Sequence, residues 1–217
     1  MLDAIAGGLV VSCQAPDGHP LRSPDVIARL ARCAALGGAV AVRVNGPEDV
    51  RAVKAAVDLP VIGLHKVRAA DRYLITPHRP LVEDLAAAGA DIIAAEATGR
   101  GDLSVAELVR CTHALGLPLV ADVATEEQGL AAWAAGADLV ATTLSGYTAD
   151  SPQGTQPDLA LVSDLAVAGV RTVAEGRLAT AAHVRDAFAL GAFAVVVGTA
   201  ITDPMALTRD LVTAIAR

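Results

Sequence analysis

Aromatic residues make up only 2% of this 217-residue chain: one Trp, two Tyr and two Phe. So few rings cannot build base-stacking platforms, and the interior must be filled by Ala, Val, Leu and Ile in small, closely approached elements. Basic charge is also scarce, with 17 Lys and Arg against 24 Asp and Glu, a formal charge of −7. That balance repels a nucleic-acid backbone and argues against a nucleic-acid face, although a local basic pocket for a small anion is compatible with it. Mean hydropathy is +0.49, yet charged side chains interrupt every apolar stretch before the roughly 20 residues a bilayer crossing needs, so no membrane partner is expected. Met1-Leu2-Asp3-Ala4-Ile5 lacks the basic flank and apolar run of a signal peptide, and a cytoplasmic protein is expected. Cys13, Cys33 and Cys111 are odd in number and form no CxxC pair, which reads as reduced, mostly buried thiols. His19, His65, His78, His113 and His183 show neither HxH nor HExxH spacing, so no metal site is expected.

What the chain does have is apolar material, 53% of residues against 19% charged, the balance of a globular protein. One phrase recurs: Leu36-Gly37-Gly38-Ala39, Ala88-Gly89-Ala90-Asp91, Ala135-Gly136-Ala137-Asp138, Ala168-Gly169-Val170 and Leu190-Gly191-Ala192. Each follows a helical pattern and precedes a short β-branched run, which reads as helix, tight turn, buried strand. The spacing predicts eight strands near residues 8–13, 39–44, 61–65, 91–95, 119–123, 139–142, 172–174 and 194–197. Helix starts agree: Ser23-Pro24 and Asp203-Pro204 pair a cap with a first-turn proline, and Ser104–Glu107 and Thr125–Gln128 have the spacing of capping boxes. Eight alternating units without a linker predict an α/β fold, a single-domain parallel (β/α)8 TIM barrel over residues 1–217. A doubly wound open sheet is the alternative, but no GxGxxG follows the first strand.

Parallel barrels place their chemistry at the carboxyl ends of the strands. Those ends carry Ser12 and Gln14, Arg43, Lys66, Glu96, Asp122, Thr142 and Thr143, Glu175, and Gly198-Thr199. Each charge alone has a structural explanation: Asp122 as a cap for the helix near Thr125, Arg43 as a partner of Glu96 or Glu175. Together they imply either a compensated ion network or a site, because burying a lone charge costs several kcal/mol. Lys66 on a flexible stem could serve as a base once desolvated, or form a Schiff base, and Glu175 could pair with it as acid. Gly176-Arg177 and Gly198-Thr199 follow the last two strands, where barrels commonly hold phosphate on backbone N–H groups.

Val11-Ser12-Cys13-Gln14, Gly38 through Gly46, Leu59-Pro60-Val61-Ile62-Gly63, Ile75-Thr76-Pro77, Ala121 through Thr125, Thr142 through Thr148, Ala174-Glu175-Gly176-Arg177 and Val197 through Thr202 together resemble the N-acetylmannosamine-6-phosphate 2-epimerases, in the family's order and over nearly the whole chain. The resemblance implies a cofactor-free, often homodimeric barrel. Its substrates would be N-acetylmannosamine 6-phosphate and N-acetylglucosamine 6-phosphate, interconverted in amino-sugar and sialic acid breakdown. It assigns catalysis to Lys66 and Glu175, sugar contacts to Gln14, Arg43 and Asp122, and phosphate-loop positions to Gly176 and Gly198. Two positions differ. Asp203 stands where the family commonly has a phosphate-gripping Arg, and Glu96 where it commonly has Asp. Asp203 is therefore expected to turn away as an N-cap, with Arg177 supplying the cation. A Schiff-base lyase, an epimerase of the unphosphorylated sugar and a non-catalytic sugar-phosphate-binding barrel are the other readings.

Overall fold

The computed structural model describes residues 1–215. Its strands, β1 (Leu9–Cys13), β2 (Ala41–Asn45), β3 (Val61–Leu64), β4 (Ile92–Glu96), β5 (Leu119–Asp122), β6 (Leu139–Ala141), β7 (Thr172–Glu175) and β8 (Ala194–Val197), pair in parallel with their sequence neighbours. β8 closes on β1, so the sheet is a barrel without edges. Helices α1 (Pro24–Leu36), α2 (Pro47–Lys54), α3 (Arg79–Ala87), α4 (Val105–Ala114), α5 (Glu126–Ala134), α6 (Leu159–Val167) and α7 (Ala181–Ala189) surround it, and a short α8 (Thr199–Thr202) leads into α9 (Pro204–Ile215).

Strand side chains alternate between two faces, and both faces are apolar. Val10, Ala41, Ile62, Ile92, Val120 and Val173 fill the barrel interior, which Ile5 of an N-terminal 3-10 turn joins. Val11, Val42, Val61, Ile93 and Val140 face out onto helix residues such as Ile27, Val50 and Leu85. Each fully buried Val, Leu or Ile contributes about 1.5–3 kcal/mol. Alanines at Ala41, Ala94, Ala141 and Ala194 let a barrel with almost no aromatic filling close tightly. Where α3 and α5 give way to the next strand the chain turns through the left-handed region, at Gly89 (φ +95°) and Gly136 (φ +99°), which explains the recurring Ala-Gly phrase.

The caps differ in detail from the sequence reading. Ser104 and Glu107 form a full capping box, but at α5 only the Thr125 hydroxyl caps, accepting from the Gln128 N–H at 3.3 Å, while Gln128 Oε1 accepts from the Ala124 N–H. Cys13 and Cys111 are buried and Cys33 is exposed. Burial, reinforced by Cys33, pushes the Cys13 thiol up to about 12. A further departure is a hairpin of Lys66–Arg68 with Tyr73–Ile75, inserted between β3 and α3 where a simple loop is expected. No helix among the described residues is long and apolar enough to cross a membrane.

Candidate active site

The two-residue period that fills the barrel also builds its mouth. Continuing each inward column past its last apolar residue gives Ser12 after Val10, Arg43 after Ala41, Lys66 after Ile62 and Leu64, and Glu96 after Ala94. The same step gives Asp122 after Val120, Thr143 after Ala141, Glu175 after Val173 and Gly198 after Val196. The closed register sets these ends side by side: Ser12 opposite Arg43, Glu96 opposite Asp122, Val196 opposite Glu175.

Arg43 is the hub. Its side chain is 2% exposed and donates Nη1 and Nη2 to Asp122 Oδ1 and Oδ2 at 3.0 and 2.7 Å, with a further Nη1 bond to Glu175 Oε2. Thr143 donates to Asp122 Oδ1 at 2.5 Å. Burial alone would lower the Arg43 pKa, but Asp122 and Glu175 more than offset it, so the guanidinium stays charged. Asp122 is thus a partner of Arg43 rather than a helix cap, and Arg43 pairs with Glu175 and not with Glu96. Thr142 orients Glu175 from below: its hydroxyl donates to the Glu175 carbonyl at 2.9 Å and accepts from the Glu175 N–H at 3.1 Å.

Glu175 and Lys66 are displaced toward each other in acidity. Burial raises the Glu175 pKa, with Asp122 adding to it and Arg43 and Lys66 opposing. Desolvation of the amine lowers the Lys66 pKa, helped by Arg43 and opposed by Glu175 and Asp122. The Lys66 residue as a whole keeps substantial solvent exposure, while its amine feels the charges of Arg43, Glu175 and Asp122. Its backbone N–H donates to Asn45 Oδ1 at 2.8 Å. Glu96, 5% exposed, is held by Arg72, which the sequence reading did not single out.

Toward β1 and β8 the site is neutral. Gln14 Nε2 donates to Ser12 Oγ at 2.8 Å, leaving its buried Oε1 without a protein partner among the described residues. A Cβ at Gly198 would lie 3.3 Å from the Ser12 Cβ, and Gly176 has φ +115°, so glycine is needed at both places for different reasons. Thr199 opens α8, with the Thr202 hydroxyl tied to the Ser12 carbonyl at 2.9 Å. Arg177, itself left-handed at φ +59°, donates Nε to the Gln156 carbonyl (2.6 Å) and Nη1 to the Ser145 carbonyl (2.7 Å) and lies over Tyr147. Asp203 Oδ1 accepts from the Ala206 N–H at 2.9 Å as the cap of α9 and sits 3.4 Å from His19 Nε2, which has no well-aligned hydrogen bond. Among the described residues no cluster of three or more His, Cys, Asp or Glu is placed to hold a metal ion.

Comparison with known proteins converges on one family. The family model described as "Putative N-acetylmannosamine-6-phosphate epimerase" matches residues 27–217. Two curated relatives carry the name "Putative N-acetylmannosamine-6-phosphate 2-epimerase". That of Caldanaerobacter subterraneus subsp. tengcongensis is 44% identical, over 98% of this chain and 93% of its own length. That of Cutibacterium acnes is 45% identical, over 96% and 93%. The solved structure of the N-acetylmannosamine-6-phosphate 2-epimerase from Clostridium perfringens superposes with a TM-score of 0.94 at 37% identity, covering 98% of this chain and 95% of that one. A thiamine phosphate pyrophosphorylase from Pyrococcus furiosus, at 17% identity and TM-score 0.61, shares the fold alone. With the match spanning most of the sequence, this chain belongs to the N-acetylmannosamine-6-phosphate epimerase family.

Proposed function

We propose that this protein interconverts N-acetylmannosamine 6-phosphate and N-acetylglucosamine 6-phosphate by removing and returning the proton at C2, a step of amino-sugar and sialic acid breakdown. The observation that carries the reading is a buried Arg43 bonded to Asp122 and Glu175 in the barrel mouth, with Lys66 at the end of a neighbouring inward column, and burial among the charges there makes the lysine less basic and the glutamic acid less acidic. The C2 proton of the open-chain sugar is weakly acidic because it adjoins the C1 aldehyde. Lys66 takes it as a neutral amine, and the electron pair moves into a C1–C2 enolate, with the acetamido nitrogen still on C2, whose C1 oxygen develops negative charge beside the Arg43 guanidinium. Return of a proton to the opposite face inverts the centre, and Glu175, protonated over a wider pH range than an ordinary glutamate, supplies it or assists ring opening. Gln14 and Asp122 contact the sugar. Backbone N–H groups at Gly176, Gly198 and Thr199 hold the phosphate, and Arg177, whose Nη2 has no acceptor among the described residues, adds positive charge.

The decisive experiment is NMR of both sugar phosphates with enzyme in deuterated water. Deuterium should enter C2 of substrate or product in the wild type. Lys66→Ala should lower turnover by roughly 10²–10⁴-fold while remaining folded. Turnover within a few-fold of wild type would remove Lys66 from the chemistry.

We also infer a homodimer. Helix α9 buries none of its residues, with Leu211 69%, Val212 59% and Ile215 85% exposed. Beside its root lies an apolar cavity of about 200 Å³ lined by Leu9, Val11, Leu30, Ala34 and Ile201. The barrel repeat calls for a helix after β8, and an apolar helix next to an apolar hollow of the same chain fits a second copy by reciprocal packing.

A further inference from the structure

Lys66 begins the hairpin, and the hairpin is short. Its strands pair over Lys66–Arg68 and Tyr73–Ile75 only, a size that is marginal in water without other support. Support comes from both ends. At the base, Thr76 is fully buried in a left-handed conformation (φ +48°), accepts from the His65 N–H at 3.0 Å and donates to the Ala94 carbonyl of β4 at 2.7 Å. At the tip, Arg72 reaches down into the mouth. Its Nη2 and Nη1 donate to Glu96 Oε1 and Oε2 at 2.5 and 2.8 Å, and Nη1 also bonds the Tyr73 carbonyl at 3.0 Å.

Glu96 is turned over almost wholly to this task. Its side chain is 1% exposed, and apart from the Thr98 hydroxyl its donors all come from the hairpin, with the Ile75 N–H at 3.4 Å joining Arg72. A buried ion pair rarely stabilises a fold more than apolar residues of equal volume would, so stability alone does not account for it. Position does. The Lys66 amine has no hydrogen-bond partner among the described residues, and only its backbone is tied, to Asn45 and, through the hairpin, opposite Ile75. Where the amine sits is thus decided by where the hairpin sits.

We propose that the Arg72–Glu96 ion pair is the positioning device for Lys66, pinning the hairpin tip to the end of β4 and so fixing how far the amine reaches into the mouth. Neither residue is a proton carrier in this assignment, which rests on the reading of Lys66 as the base. It also gives the Glu at position 96 a reason of its own: the extra methylene carries the carboxylate up to Arg72.

The test has two arms. Lys54, the other lysine of the chain, lies outside the mouth in a pair with Asp91, so trace acetylation by acetic anhydride across pH, read by mass spectrometry, titrates Lys66 against an internal reference without substrate. The groups that face the amine are Arg43, Glu175 and Asp122. With the hairpin unpinned, the amine of Arg72→Ala or Glu96→Gln regains solvent and moves away from Arg43, losing the two influences that lower it, and should titrate closer to the ordinary lysine value of about 10.4. In the second arm both variants should lose roughly 10–100-fold in kcat with KM changed by no more than a few-fold, the double variant should be no worse than the worse single, and Arg72→Lys should recover part of the loss. The acidic limb of kcat/KM should move to higher pH, which a partly unfolded enzyme would not show. An unchanged Lys66 titration in Arg72→Ala overturns the proposal, as does a raised KM with kcat intact, which would make Arg72 a substrate contact. A wild type without epimerase activity would sink the reaction assignment instead, and the labelling arm would still decide the positioning.

Discussion

Replacing Arg43 with Met keeps an unbranched chain in the barrel and removes the charge that two carboxylates share. Asp122 suffers most. It is 0% exposed, loses donors at 2.7 and 3.0 Å, and keeps the Thr143 hydroxyl at 2.5 Å. Hydrogen bonds to a charged partner contribute about 1.5–3 kcal/mol each, so two predict about 3–6 kcal/mol, and measured losses on breaking a buried ion pair run to about 3–5 kcal/mol. Glu175 adds less, because it retains 13% exposure and faces Lys66. Arg43→Met should therefore cost about 3–5 kcal/mol near neutral pH, a fall in Tm on the order of 6–20 °C for a chain of this size. The sign with pH is fixed. Burial already raises the Glu175 pKa and Arg43 is the largest influence opposing it, so in the variant the folded state holds that proton to still higher pH. A carboxyl raised in the folded state costs stability as it ionises, so the part of the deficit that Glu175 carries is absent below the unfolded glutamate value of about 4.3 and adds to the Asp122 loss as pH rises through the raised one. Urea unfolding followed by circular dichroism at about pH 4.5 and about pH 7.5 measures both quantities. A loss under about 1 kcal/mol, or one equal at the two pH values, would refute the hub role of Arg43.

Three further outcomes are expected. Gly129→Ala on α5 places a Cβ 2.5 Å from Leu165 Cδ2 of α6, and overpacking of about 1–3 kcal/mol should outweigh a helix-propensity gain of about 1 kcal/mol; a stabilised variant in urea would show that the α5–α6 contact yields. Leu211→Asp should convert a dimer to monomers in sedimentation equilibrium, and a wild type that is already monomeric at micromolar concentration would end the α9 argument. Arg177→Ala should raise KM for the 6-phosphate far more than for the unphosphorylated sugar, and Asp203→Arg should lower it. If the wild type shows no preference for the phosphorylated sugar and Arg177→Ala changes nothing, the substrate must be renamed.

The barrel was legible in the sequence because its signal is local and repeated. Each of the five recurring glycine turns is followed by a run apolar on both faces, and with the three further runs the eight strands leave few topologies. The hairpin was not legible for the opposite reason. Val67, Leu74 and Ile75 are too few to show a period, and what holds them in place is tertiary: Thr76 on β4 and Arg72 on Glu96. Gln128, whose spacing from Thr125 suggested a closed box, reaches one residue further back to Ala124 because the chain there is still leaving β5.

At the mouth, parity would have found more than the apolar runs did. Counting by two from Ile62 reaches Lys66, from Ala41 reaches Asn45 beyond Arg43, and from Ala141 reaches Thr143, so each group that touches the Arg43 hub or ties the Lys66 backbone lies on an inward column. Arg72 lies on no column, since it arrives from a hairpin tip. Arg177 lies outside them as well, and its left-handed φ turns two of its guanidinium nitrogens onto the Ser145 and Gln156 carbonyls, a commitment that residue type alone does not reveal. The two kinds of residue differ in what specifies them. An inward column follows from the pleat and tolerates no slip, because a shift of one residue would turn Lys66, Arg43 and Glu175 out of the mouth together. A residue such as Arg72 is specified by its partner alone, so it can change only with Glu96, and a difference from the family at position 96 is the place to look for a second difference facing it.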